Sequence, residues 1–135
     1  MAFDGSNIWV ANSTTGNVTE IQASTGQVLN TYAVGTGAHP AGIAFDGAHL
    51  WVVNSVRSDV IEVQASNGTV LGTFNVGPNP NSVAFDGTNI WVTNYAGNDV
   101  TVLTASTGAL VIRPGSGRQR NTSVSRWTNG LSCRL

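Results

Sequence analysis

The 135-residue chain contains no lysine and only one cysteine, Cys133, and charged residues make up just 10% of it. A single cysteine excludes an intrachain disulfide framework and a metal site built from cysteines alone. Apolar runs are only a few residues long, too short to cross a bilayer as a helix, so no membrane partner is expected. The formal net charge of −1 does not favour a nucleic-acid partner either.

The most informative feature of the sequence is an internal repeat. Ala-Phe-Asp-Gly occurs at residues 2–5, 44–47 and 84–87, and each copy is followed by Asn-Ile-Trp-Val or His-Leu-Trp-Val. Without any gap, residues 2–28 and 84–110 are identical at 15 of 27 positions. Chance does not produce this agreement, so the repeat must be explained before any single residue is interpreted.

Each repeat has the pattern of four short strands joined by turns. Runs of β-branched and aromatic residues, such as residues 8–10, are bounded by Asp-Gly pairs and by clusters of Asn, Ser and Gly. Four antiparallel strands every 40–45 residues are typical of a β-propeller blade. We therefore predict an all-β fold, a β-propeller with about three four-stranded blades per chain. A single β-sandwich is the alternative, but it would not require near-identical repeats.

Two residue types recur at fixed places in the repeat. Tryptophans at equivalent positions are expected in the apolar layer between blades: Trp9, Trp51 and Trp91. Aspartates of the Asp-Gly pairs are expected to accept hydrogen bonds from backbone N–H groups in tight turns: Asp4, Asp46 and Asp86.

Residues 91–95, Trp-Val-Thr-Asn-Tyr, followed by residues 98–102, Asn-Asp-Val-Thr-Val, resemble the YVTN repeat of bacterial β-propellers. Residues 76–87 match the second half of that repeat. NHL, virginiamycin-lyase-like and gluconolactonase-like propellers are similar in pattern. The resemblance implies a periplasmic or extracellular location, although residues 1–5 do not read as a signal peptide.

The repeat divides the chain into two regions. Residues 1–112 are predicted to form the blades, at about 2–43, 44–83 and 84–112. Residues 113–135 form a basic tail outside the repeat, with five of the six arginines and none of the acids. Three interpretations of the tail remain open: a loosely docked segment, a terminus unrelated to the repeat, and an arm that binds nucleic acid through Trp127. Ser, Gly and Asn dilute its charge, which argues against the last.

Three blades are fewer than the four to eight of a closed propeller, and two apolar blade faces would stay open. We therefore expect the chain to associate with itself, most simply as a homodimer whose two copies close a six-bladed ring. The alternative is that the chain is a piece of a longer propeller.

Propeller strand order places the loops that enter the inner strand, and those between the second and third strands, on one face. Candidate ligand-binding residues on or just below this face are Asn54, Asn81, Ser82, Asn94 and Tyr95. His39 and Arg57 are the candidate catalytic residues, His39 because it titrates near neutral pH. The resemblance to lyase-like propellers would imply a Glu at three positions that are asparagine in this chain: Asn12, Asn54 and Asn94. Because these carboxylates are missing, no metal and no cofactor is expected.

The sequence thus favours a repeat module that binds an unknown ligand or protein, or assembles, through its loop face. The alternative is a propeller enzyme, a hydrolase, lactonase or lyase, with its site at the mouth of the central channel.

Overall fold

The computed structural model describes residues 1–112, and the predicted basic tail lies outside the described residues. This part of the chain forms twelve strands. In chain order they are β1 Ala2–Phe3, β2 Asn7–Asn12, β3 Asn17–Gln22, β4 Val28–Ala33, β5 Pro40–Phe45, β6 His49–Asn54, β7 Asp59–Gln64, β8 Val70–Asn75, β9 Pro80–Phe85, β10 Asn89–Asn94, β11 Asp99–Thr104 and β12 Leu110–Ile112. Over the same residues no helix has the length and apolar character that crossing a membrane requires.

The strands form three separate antiparallel sheets of four, β1–β4, β5–β8 and β9–β12, each in sequence order. The predicted repeat limits after residues 43 and 83 fall inside β5 and β9, because the sequence motif begins within the first strand of a sheet. The first strands of neighbouring sheets lie side by side, β1 next to β5 and β5 next to β9. The sheets therefore meet along their first strands and radiate from there.

The Asp-Gly turn between the first and second strands has the predicted form in all three sheets. In the second sheet, Asp46 Oδ1 accepts hydrogen bonds from the backbone N–H groups of Ala48 and His49, at 3.0 and 2.8 Å. Gly47 follows with φ at 106°, a left-handed conformation that favours glycine. A bond that the sequence pattern did not indicate also recurs: the indole Nε1–H of Trp51 donates to Asp46 Oδ2 at 2.8 Å.

Two apolar clusters hold the sheets together. The first joins the first two sheets and includes Trp9, Val18, Leu50 and Val52, all buried. The second joins the second and third sheets around Trp51. Because side chains alternate between the two faces of a strand, neighbouring residues of β6 such as Leu50 and Trp51 enter different clusters. The middle sheet therefore buries both of its faces.

Rings on the outer strands extend this packing to the sheet edges. Tyr32 of β4 stacks on Trp9 with 5.9 Å between ring centroids, and Phe74 of β8 lies 5.7 Å from Trp51. Each ring also covers a glycine in the last turn of the following sheet. An added Cβ at Gly68 would overlap Tyr32, and one at Gly108 would overlap Phe74.

Candidate functional site

One end of the three sheets carries five connecting segments, and we call this surface the loop face. It comprises the turns at residues 13–16, 55–58 and 95–98 and the connections at residues 34–39 and 76–79. Backbone hydrogen bonds tie turns to connections: Ser55 N–H donates to His39 O at 3.1 Å, and Tyr95 N–H donates to Asn79 O at 2.9 Å. The segments that sequence analysis placed on one face are thus physically joined.

Each of the three turns is preceded by an asparagine whose side-chain amide bonds to a residue of the loop face or at its edge. Asn12 Nδ2 donates to Asn17 Oδ1, and Asn94 Nδ2 donates to Asp99 Oδ1, at 2.8 and 2.9 Å. In the second sheet Asn54 Oδ1 accepts the backbone N–H of His39 at 2.8 Å. Asn12 and Asn94 thus brace their own turns, and Asn54 ties the end of β6 to the connection at residues 34–39.

Asn54 and Asn94 therefore lie beneath the loop face, with 0% and 2% of their surface exposed. In the arrangement described, they support the loop face from below, and their predicted contact with a ligand stays a prediction. The close fit also explains Gly77, since a Cβ there would lie 2.6 Å from Asn94 Nδ2.

The structure brings Arg57 to the connection that contains His39. Arg57 Nε lies 3.2 Å from Asp59 Oδ2, and its Nη1 donates to the backbone carbonyl of Thr36 at 3.4 Å. His39 is exposed and lines a cleft of about 430 Å³, together with Thr14, Thr15, Gly16, Ala33, Gly35, Thr36, Gly37 and Ala38. Within residues 1–112 the His39 ring has no hydrogen-bond partner that would orient it as a general base.

Asp59 anchors Arg57 from below. Burial raises the pKa of the Asp59 carboxyl, and the guanidinium of Arg57 only partly counteracts this effect. The residue is 4% exposed, and its Oδ1 has no hydrogen-bond partner among the described residues. Because its other oxygen is paired with Arg57, the carboxyl is closed off from the cleft. It positions Arg57 and is not offered to a substrate.

The remaining candidates belong to the third sheet. Asn81 and Ser82 lie on its first strand, where Ser82 Cα is 3.2 Å from the position a Cβ would take at Gly42 of the neighbouring sheet. Asn81 Oδ1 also accepts a hydrogen bond from the hydroxyl of Thr93 at 2.9 Å. In the described part of the chain, the candidates thus form two groups that no direct hydrogen bond joins, one around His39 and one around Asn94 and Tyr95.

Tyr95 and Val56 are the most exposed large apolar side chains of the loop face, at 73% and 65%. They occupy tips of turns in neighbouring sheets. Tyr95 was predicted from the sequence as a binding residue, whereas Val56 was not. The available signal was a β-branched residue between Ser55 and Arg57, in an otherwise polar turn.

Residues 1–112 contain no group of three or more His, Cys, Asp or Glu side chains placed to hold a metal ion. The loop face can therefore offer apolar contact at its tips, one guanidinium, one imidazole and backbone groups held in fixed positions.

Several solved structures share this arrangement of sheets. Hydrazine synthase from Kuenenia stuttgartiensis superposes with a TM-score of 0.72 at 25% identity, over 82% of this chain and 33% of that one. Glutaminyl cyclase from Myxococcus xanthus gives 0.63 at 16% identity, over 82% and 49%. Virginiamycin B lyase from Staphylococcus aureus gives 0.64 at 20% identity, over 80% and 37%. The chain has the fold of an incomplete β-propeller.

The chain spans between a third and a half of the length of these structures. Their names describe different activities, so the structural similarity supports the fold but not a particular function. No protein-family model matches the chain. No curated protein matches it either.

Proposed function

We propose that the chain is a β-propeller repeat module of the YVTN-repeat type that binds a ligand or a protein through its loop face. One observation carries the proposal: Tyr95 and Val56 present large apolar surfaces to solvent from turns whose bases are fixed by buried asparagines, Asn94 by a bond across its own turn and Asn54 by a bond to the backbone of His39. Exposed apolar side chains on rigid supports lose little conformational entropy on binding. Tyrosine is also among the residues that contribute most to binding energy at protein interfaces.

The test selects peptide ligands from a random library, so the natural ligand need not be known. A library of random cyclic peptides would be panned against the immobilised chain, and the Kd of each selected peptide measured for the parent and three variants. Tyr95→Ser should weaken binding about tenfold or more, which corresponds to about 1.4 kcal/mol. Val56→Ser should have a smaller effect, because its side chain offers less contact area.

The matched control is Val70→Ser on the outer strand β8, where the side chain is exposed but lies off the loop face. It should leave the Kd unchanged within about twofold. If the selected peptides bind Tyr95→Ser and Val56→Ser as tightly as the parent chain, the loop face is not the binding surface.

An enzyme is the second candidate, favoured by the cleft that His39 lines beside Arg57. A hydrolase, lactonase or lyase of this type would turn over at least one member of a panel of lactones and esters, and His39→Ala would abolish that turnover. A binding module shows no turnover before or after the substitution. The panel therefore separates the two functions independently of peptide binding.

A further inference from the structure

Two sheet faces have no neighbour within residues 1–112, one at each end of the row of sheets. The first-sheet flank is the face of β1–β3 turned away from the second sheet: Phe3, Ile8, Val10, Thr19 and Ile21. The third-sheet flank is the opposite face of the last sheet: Ala84, Trp91, Thr93 and Val100. Neither set contains a charged residue.

The repeat itself shows what covers a first-sheet flank. The residues equivalent to Ile8 in the other sheets are Leu50 and Ile90, and both are fully buried against the preceding sheet. The counterparts of Val10, Thr19 and Ile21 in the other two sheets are also buried, whereas all four residues of the first sheet are partly exposed. A preceding sheet of the same type is therefore what this surface accepts elsewhere in the molecule.

The third-sheet flank gives the same result from the other side. Trp9 and Trp51 are sealed by the following sheet, while 37% of Trp91 is exposed. Val100 is half-exposed where its counterparts Val18 and Val60 are buried. The open faces thus correspond to the two halves of a joint that the molecule already contains twice.

The outer edge carries a third sign of the missing neighbour. Gly68 and Gly108 each lie under an aromatic ring of the preceding sheet, Tyr32 or Phe74. Gly26, at the equivalent turn of the first sheet, has nothing within 4 Å of an added Cβ. The position on which a preceding sheet would rest is thus uncovered in the first sheet.

We propose that the third-sheet flank of one copy packs against the first-sheet flank of a second copy. A second copy is the occupant because its flank has the same repeat architecture as the faces that make the two joints within the chain. The Asp86 carboxylate, bonded to Trp91 beside the third-sheet flank, has its counterparts in Asp4 and Asp46, which make the same bond to the tryptophans of the two existing joints. Two such head-to-tail joints close a ring of six sheets with two-fold symmetry. Peptide binding at the loop face does not enter this argument, so either proposal can fail alone.

The experiment measures the mass of the full-length chain by sedimentation and light scattering over a dilution series. The parent should give twice the 14.0 kDa mass of one chain and dissociate on dilution. Val10→Arg on one flank, or Thr93→Arg on the other, should raise the dissociation constant at least tenfold, because a dimer of either variant has one arginine in each of its two joints. Thr69→Arg, an exposed threonine in an outer turn, is the matched control and should behave as the parent.

Mixing the two flank variants tests the head-to-tail geometry. In a mixed pair, both arginines fall in the same joint and the other joint is of parent type. Equimolar Val10→Arg and Thr93→Arg should therefore recover a dimer that neither variant forms alone. A joint made by two copies of one flank would not show this complementation. If Val10→Arg fails to fold by circular dichroism, Thr19→Arg on the same flank replaces it.

Three results would overturn the proposal. The first is a folded parent chain that keeps the mass of a single copy over the whole dilution series, as it would if its own residues covered the flanks. The second is a dimer that both arginine variants leave intact. The third is a series of species that grows with concentration beyond two copies, which contradicts a closed ring.

Discussion

The middle sheet and the two outer sheets are built from nearly the same sequence, yet only the middle one buries both faces. Trp51 is sealed between β-sheets, while Trp91, at the same position of the repeat and with the same bond to its Asp-Gly turn, keeps 37% of its surface exposed. In a repeat fold, burial is thus set by the neighbouring unit and not by the residue. A comparison of equivalent residues in the middle and outer sheets therefore measures how much a neighbouring sheet stabilises the fold.

The largest expected contrast is between the two tryptophans. In a Thr93→Arg background, which keeps the flanks open, Trp51→Ala should lower the free energy of unfolding by about 3–5 kcal/mol, as for other buried aromatic residues. Trp91→Ala should cost about half of that or less, because part of its ring already contacts water. Urea unfolding monitored by circular dichroism measures both. Equal losses would mean that the third-sheet flank is covered even in this background.

A second contrast compares glycines at the same turn. Gly26 and Gly68 have φ of 77° and 74°, so alanine meets the same backbone strain of roughly 1–2 kcal/mol at either position. At Gly68 the new methyl group would also overlap Tyr32, adding about 1–3 kcal/mol of overpacking. In the Thr93→Arg background, which keeps the turn of Gly26 uncovered, Gly68→Ala should therefore unfold at lower urea than Gly26→Ala. Tyr32→Ala should remove most of the difference, because it removes the ring.

The strands and their turns could be predicted from the sequence because they depend on local patterns. The Asp-Gly turns hold backbone N–H groups as expected, and Trp9 and Trp51 lie in the predicted layer between sheets. Trp91 shows the limit of this reasoning. Position in the repeat predicts which face a side chain occupies, but exposure depends on whether a neighbour is present.

The site was less accessible to prediction because its contacts cross between segments distant in sequence. The face of Asn54 follows from its repeat position, but its bond to the backbone of His39 depends on how the connection at residues 34–39 folds back. The five-residue spacing between each Asp and its Trp is visible in the sequence, but the hydrogen bond between them was not predicted. The ring over Gly68 depends on the angle between sheets, which no single repeat encodes.

The smallest contrast concerns the bond between each tryptophan and its aspartate. Burial raises the pKa of Asp46, but hydrogen bonds from Trp51 Nε1–H and from two backbone N–H groups outweigh it, so the pKa lies below its ordinary value of 3.8. At Asp86, a backbone N–H bond and then the Trp91 indole lower the pKa in the same direction. His49 Nδ1 lies 3.4 Å from both Asp46 and Glu62, and its Coulombic interaction with Asp46 also lowers the pKa of that carboxyl.

A carboxyl whose pKa is lower when folded stabilises the fold above its unfolded pKa, and this contribution disappears as the pH falls through the folded pKa. Unfolding free energy should therefore decrease below about pH 4. Asp46→Asn should cost about 1 kcal/mol at pH 7 and flatten part of this acid dependence. In the Thr93→Arg background, which keeps the flanks open, Asp86→Asn should cost less, because water can replace the carboxylate at the open Trp91 indole but not at the sealed Trp51. Urea unfolding from pH 3 to pH 7 in this background tests the order of the two variants, and a larger loss for Asp86→Asn would show that Trp91 is covered even when the flanks are kept apart.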